Sequence, residues 1–263
     1  MKSLTQHFGD GVETICLNRP EVRNAFNDEV IAELSTAFTD LAERDEVRAV
    51  VLAAEGPAFC AGADLNWMRA MADYSWEENR ADAQKLADML WTLDQCPVPV
   101  VGRAHGDCYA GGMGLASVCD VLVASDNVTF CLSEARLGLL PATIGPYVVR
   151  AMGEQASRRY FTTAERFSAA QAQAILCDLG AQDLVALGLP PRIDGLQALS
   201  RPRQANALRH WLRQVHGTSA SKAQLDELLD QLADCTTRGH HLHLKIGRGF
   251  VRRQGDTLEW HAA

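Results

Sequence analysis

Three glycines in four positions, Gly111, Gly112 and Gly114, interrupt the stretch GDCYAGGMGLASVCD (106–120) between the apolar runs VPVVGRAH and LASVCDVLVAS. Glycine weakens the interior of helices and strands, so a cluster this dense marks backbone that must turn tightly or be approached closely. The flanking runs predict a buried strand, the glycines, and then the first turn of a helix. A helix start leaves several N–H groups without a partner, and its dipole favours negative charge there. The stretch AFCAGADLNWM (58–68) repeats the design after the strand RAVVLAA. Two such junctions in one chain can each supply one N–H to a shared oxygen, the arrangement that stabilises a developing oxyanion.

Nucleotide-phosphate loops fit less well. No G-K-[ST] follows the glycines, and Ser117 stands where a G-x-G-x-x-G fingerprint needs its third glycine.

The rest of the first 177 residues alternates strand and helix. VETICLNRP reads as a strand, and NDEVIAELSTAFTDLAERDEV as a helix with Asn27 as its N-cap. WEENRADAQKLADMLWTLDQC is an amphipathic helix stopped by PVP, DVLVASD is a strand, and PYVVRAMGEQASRRYFTTAERFSAAQAQAI is helical with breaks. This order predicts an α/β architecture with strands buried on both faces.

The texture changes after Cys177. Residues 178–263 carry 11 Lys/Arg against 9 Asp/Glu, whereas residues 1–177 carry 14 against 24, and six of the eight histidines lie beyond residue 200. We therefore expect two domains, 1–177 and 178–263, of different character. DLGAQDLVALGLPPRIDGLQALSRPRQ reads as an irregular segment; QANALRHWLRQVHG and SKAQLDELLDQLADC read as helices; HHLHLKIGRGFVRRQGDTLEW reads as a hairpin. In a strand His241 and His243 would share one face of the RGHHLHLK cluster, which is expected to be an exposed polar face rather than a metal site.

Net charge of −8 argues against a general nucleic-acid or membrane-surface binder. The apolar runs are far shorter than a bilayer span and MKSLTQHFGDG has no signal-peptide character, so a cytoplasmic location is expected. Eight cysteines without a C-x-x-C pair are expected to be reduced core residues, and no zinc site is expected.

Four blocks, LNRPEVRNAFN, FCAGADL, GDCYAGGMGL…CD and FCLSEARLGLLP, occur in the order and spacing of the crotonase superfamily of enoyl-CoA hydratases and isomerases, which residues 4–175 resemble. FCAGADLNWM and CLSEARLGLLPATIGPYVVRAMGE are closest in look to the methylglutaconyl-CoA and isohexenylglutaconyl-CoA hydratase branch. The resemblance implies a spiral of ββα turns, assembly as a homo-trimer or hexamer, and no cofactor or metal beyond the coenzyme A of the substrate. Matching motif to motif implies that the N–H groups of Ala63 and Gly111 hold the thioester oxygen. It also implies that Val22, Arg23, Ala25, Ala61, Asp64 and Leu65 line the coenzyme A site.

Proton transfer needs a carboxylate of raised pKa in an apolar setting. Glu134 is the lone acid among apolar neighbours in FCLSEARLGLL and matches the family's second catalytic glutamate; its alternative is a surface carboxylate paired with Arg136. The family's other hydratase glutamate falls at Gly114 here, which leaves a hydratase and a Δ3,Δ2-enoyl-CoA isomerase both open. The branch resemblance favours hydration of a branched, methylglutaconyl-like 2-enoyl-CoA. His105, Asp107, Tyr109 and Ser133 are expected to be structural.

Residues 178–263 match no crotonase ending. They resemble a C-terminal piece of tRNA(Ile)-lysidine synthetase in LSRPRQANALRHWLR…S…QLDELLDQL and the hairpin, without the SGG-x-DS motif of that enzyme's catalytic half. Either a crotonase core is joined to a foreign segment, which the change in charge favours, or the tail is a divergent crotonase ending. The first case admits a catalytically impaired hybrid whose tail binds RNA.

Overall fold

In the computed structural model residues 3–236 and 241–262 are described, so Arg238, Gly239 and His240 of the histidine cluster lie outside them. The chain divides into two compact units, Met1–Ala172 and Gln173–Ala263.

The first unit opens on a hairpin, β1 (Leu4–Gly9) and β2 (Val12–Leu17), whose two-residue turn places Asp10 and Gly11 at positive φ. An Asp-Gly pair supplies that turn at low cost and fits the twist of the strands. Next come α1 (Asp28–Asp40), β3 (Ala49–Ala54), α2 (Leu65–Met71) and α3 (Trp76–Asp94). The predicted cap holds, since the Asn27 side chain accepts from the Val30 N–H, and α3 starts on a reciprocal capping box between Ser75 and Glu78. The chain continues through β4 (Val100–Ala104), β5 (Asp107–Tyr109), α4 (Gly111–Val118), β6 (Val121–Ala124) and β7 (Thr129–Cys131). It closes with α5 (Gly145–Met152), α6 (Glu154–Thr163) and β8 (Arg166–Ser168).

Among the described strands, β1-β2-β3-β4-β6 form one sheet, parallel beyond the hairpin, and β5-β7-β8 a smaller one. The chain thus gives a strand to the large sheet, a short strand to the small one and then a helix, as in β4, β5, α4. This is the expected ββα spiral. Ile15, Leu34, Phe38, Leu52, Phe59, Leu90 and Leu115 form the buried core. One expectation fails at the edge. β6 leaves Val123 55% exposed and Leu122 also open, because an edge strand has neighbours on one side only.

The second unit holds most of α7 (Ala169–Leu187), then α8 (Ile193–Ala198), α9 (Arg201–His216) and α10 (Lys222–Ala233). β9 (His243–Ile246), β10 (Gly249–Gln254) and β11 (Thr257–Ala262) follow as an antiparallel sheet, so the expected hairpin gains a third strand. Leu196, Leu208, Trp211, Leu212, Leu228, Ile246, Val251 and Leu258 are buried together. The segment read as irregular from residue 178 is instead mostly helical. Gly180, in this segment, sits where a Cβ would come within 3.0 Å of the His210 Cβ and 3.2 Å of Asn206 Nδ2. Its lack of a side chain allows α7 and α9 to approach closely, and Leu179, Leu184 and Leu187 are buried. Asp183, 4% exposed on its side chain, is fixed by Arg203 from α9.

Candidate active site

The two glycine junctions lie side by side because a short ladder joins them. Phe59 N–H donates to His105 O at 2.9 Å, Cys60 N–H to Asp107 O at 3.1 Å, and Tyr109 N–H to Cys60 O at 2.8 Å. Nothing larger than hydrogen fits between the strands of this ladder. A Cβ on Gly112 would run into the Cys60 carbonyl oxygen, and one on Gly62 would lie 2.9 Å from the Ala110 Cβ and 3.7 Å from Gly111 N. The glycines are therefore required by the mutual approach of the two loops, and Gly62 also adopts φ +96°.

That approach leaves two N–H groups over. Phe26 N–H donates to Gly62 O at 2.7 Å and Asp64 N–H to Phe26 O at 2.6 Å, so the bridge between Phe26 and Ala63 bypasses the Ala63 N–H. On the other loop Ala110, at φ 46°, donates to Cys131 O, and α4 begins at Gly111 without a side-chain cap. Among the described residues neither the Ala63 nor the Gly111 N–H has a backbone acceptor.

Both groups line one cavity of about 780 Å³. Glu134, Val22, Arg23, Ala25, Ala61, Asp64 and Leu65 line it too, so all nine residues singled out in the sequence surround the same space. Glu134 lies on a short 3-10 turn, Ser133–Leu137, between β7 and the Gly138 bend. Its Oε2 is buried and without a hydrogen-bond partner, and burial pushes its pKa above the ordinary carboxylate value. Arg136 is not its counter-ion, since that guanidinium donates to Ala164 O at 2.6 Å.

Asp64 and Arg23 have other attachments. The Asp64 carboxylate caps α2 by accepting from Asn66 N–H at 2.9 Å and pairs with Arg19 at 3.0 Å. Burial raises its pKa, but donation from Asn66, Arg19 and Trp67 outweighs this and leaves it below the usual value. Arg23, at φ 53°, pairs with Asp107 at 2.5 Å. Asn24, buried beside it, donates to Glu55 O and Ala58 O, each at 2.8 Å, which ties the 19–25 loop to the segment that follows β3.

His105 donates to Gly56 O at 2.8 Å and Tyr109 lies under the Arg166 guanidinium; with Asp107 they serve the scaffold, while Ser133 lines the cavity. Burial pushes the Cys60 thiol up to about 12, so no thiolate is available beside the loops. Among the described residues no group of three or more His, Cys, Asp or Glu side chains could hold a metal ion.

Sequence reasoning missed much of the apolar lining, Phe26, Leu86 and Ile144 included. Phe26 and Ile144 explain two of the glycines: a Cβ on Gly111 would strike the Phe26 ring, and one on Gly114 would strike Ile144 Cγ2. The position where relatives were expected to carry a glutamate is thus filled by Ile144.

Residues 7–175 match the enoyl-CoA hydratase/isomerase family. The chain belongs to that family. Among solved structures, a crotonase-type enoyl-CoA hydratase/isomerase from Legionella pneumophila is similar at 29% identity and a TM-score of 0.66, covering 91% of this chain and 93% of that one. An enoyl-CoA hydratase AKT6-1 of Alternaria alternata is 34% identical over 156 residues, 59% of this chain and 50% of that protein.

Outside the family region, residues 192–259 match the TilS substrate binding domain. The tRNA(Ile)-lysidine synthase of Polaromonas naphthalenivorans is 59% identical over 90 residues, 34% of this chain and 27% of that enzyme. This chain spans half or less of these two curated relatives. No described helix is long and apolar enough to cross a membrane.

Proposed function

We propose that the first unit is a hydratase of 2-enoyl-CoA thioesters. The observation that supports this best is the meeting of two unpartnered N–H groups, Ala63 and Gly111, with the buried, unpaired Glu134 carboxylate on one cavity. A thioester conjugated to a C2=C3 bond would place its carbonyl oxygen between the two donors. Glu134, as the carboxylate, takes a proton from water while the hydroxyl bonds to C3 and the π electrons move onto the thioester oxygen. The donors hold that enolate charge, a contribution of about 3 kcal/mol for each donor. Glu134 then returns its proton to C2, so the net change is addition of one water. The coenzyme A moiety would run past Val22, Arg23, Ala25, Ala61, Asp64 and Leu65, largely against backbone.

The acyl group we assign is branched and methylglutaconyl-like, on the motif likeness of 58–68 and 131–154 to that hydratase branch. Assembly as a homo-trimer or hexamer is part of the same reading, checked by the mass in solution. A single carboxylate can also move a proton from C2 to C4 of a 3-enoyl-CoA, which is the isomerase alternative.

Incubation with 2-enoyl- and 3-enoyl-CoA in labelled water separates the two: hydration gives a 3-hydroxyacyl product and isomerisation a shifted double bond. Glu134→Gln is expected to lower turnover by roughly 100-fold or more with acyl-CoA binding retained, given the size of general acid–base contributions. Turnover close to wild type would exclude Glu134 as the acid/base.

A second reading concerns the other unit. The outer face of its sheet exposes His243, Lys245 and Arg252, with Phe250 stacked on His243 at 4.8 Å between ring centres and Arg252 over the Phe250 ring at 6.0 Å. Cations beside an aromatic platform suit single-stranded or looped RNA.

A further inference from the structure

Gly114 lies one turn beyond Gly111 on the same helix, so the two share a face of α4 that looks toward the cavity wall. What covers Gly114 is fixed. A Cβ there would run directly into Ile144 Cγ2, with Ile144 Cβ at 3.1 Å and Leu90 Cδ2 at 3.6 Å. Ile144 is 3% exposed and Leu90 fully buried, while Ile144 and Leu86, one turn from Leu90 on α3, line the cavity with Gly111 and Glu134. Ile144 has no room to withdraw. It sits at the N-cap of α5, its carbonyl accepts from Tyr147 and Val148 at 3.1 Å, and Gly145 N–H is tied to Pro141 O at 2.8 Å. α4 packs on both α3 and α5. The result is a stiff apolar wall beside the donor.

We infer that Ile144, seated on Gly114, sets acyl-group selectivity at the carbons nearest the thioester. This rests on the acyl-CoA reading of the cavity. An acyl group whose oxygen meets the Gly111 N–H brings C2 and C3 within about one helical turn of Gly114. There the wall accepts a flat conjugated chain, including a C3 branch that lies in the plane of the double bond, and excludes bulk at C2, because a β-branched side chain held at its backbone cannot rotate aside.

The test measures dissociation constants of two saturated, unreactive probes, butyryl-CoA and 2-ethylbutyryl-CoA, on the full chain. Wild type should favour butyryl-CoA. Ile144→Ala should shift the ratio of the two constants toward the ethyl-branched probe by roughly ten-fold or more, the scale on which a pocket senses one or two methylenes. Ile144→Val, which removes one methyl, should shift it the same way by less, and decides the matter if the alanine variant does not fold. Gly114→Ala should lower Tm in wild type and less in the Ile144→Ala background. A ratio unchanged by Ile144→Val or Ile144→Ala, in proteins that still bind butyryl-CoA, overturns the inference and leaves the acyl-CoA reading standing. Wild type that binds neither probe defeats the acyl-CoA reading and this inference with it.

Discussion

Burial gives Glu134 the raised pKa that the proposed proton transfer calls for. Its Oε2 has neither solvent nor a donor, so the charged form is disfavoured and the pKa lies above its ordinary value. The same burial has a consequence for stability. A glutamate raised on folding binds its proton more tightly in the native state, so stability falls as pH rises from the unfolded value through the raised one. Glu134→Gln removes that dependence. We expect the variant to be more stable than wild type at neutral pH and equal to it below the unfolded carboxylate pKa of about 4.3. Denaturant unfolding at pH 4 and pH 7.5 measures the difference; a variant less stable than wild type at pH 7.5 would contradict it. The sequence already made Glu134 the candidate acid, as the lone acid in an apolar run. It could not exclude pairing with Arg136, whose true acceptor, Ala164 O, comes from 28 residues downstream.

At the scale of elements, the glycines have three different jobs that look alike in sequence. Gly62 and Gly112 let two loops touch, Gly11 completes a hairpin turn, and Gly180 lets α9 press against α7. The segment holding the last was read as irregular because it is rich in proline and glycine, and only the partner helix reveals the use of Gly180. The contact it permits carries an ion pair between Arg203 and the nearly buried Asp183. Arg203→Ala should therefore destabilise the second unit by about 3 kcal/mol, since it strands a buried carboxylate, with the effect moderated by the 38% exposure of the arginine side chain. Urea unfolding followed by the fluorescence of buried Trp211 tests this; a change under about 0.5 kcal/mol, the range of ordinary surface substitutions, would show that the pair does not hold α7 to α9.

The 263 residues form two units that resemble different known proteins. One carries the enoyl-CoA hydratase/isomerase match over 7–175 and the other the TilS match over 192–259. Their proposed ligands have different chemistry and should be separable in one experiment. Acyl-CoA should raise Tm and leave tRNA binding unaltered. If the second unit binds RNA, Phe250→Ala and Arg252→Ala should weaken retention of tRNA in a filter assay several-fold without touching the acyl-CoA shift. Stacking on one aromatic ring is worth about 1–3 kcal/mol. Wild type that retains no tRNA at low salt would dismiss the second reading.

The chain's own text determined the α/β order, the two glycine junctions, the Asn27 cap, the lone acid Glu134 and the change of character near residue 177. All of these follow from local propensity, periodicity or charge, which need only neighbouring residues. Tertiary structure decided the rest: that nine residues from four stretches of chain face one cavity, that Asp64 and Arg23 spend their charges on Arg19 and Asp107, and that Ile144 covers Gly114. Those facts depend on contacts between segments remote in sequence. A glycine's spelling records that space is scarce around it, and only the folded chain says which side chain takes that space.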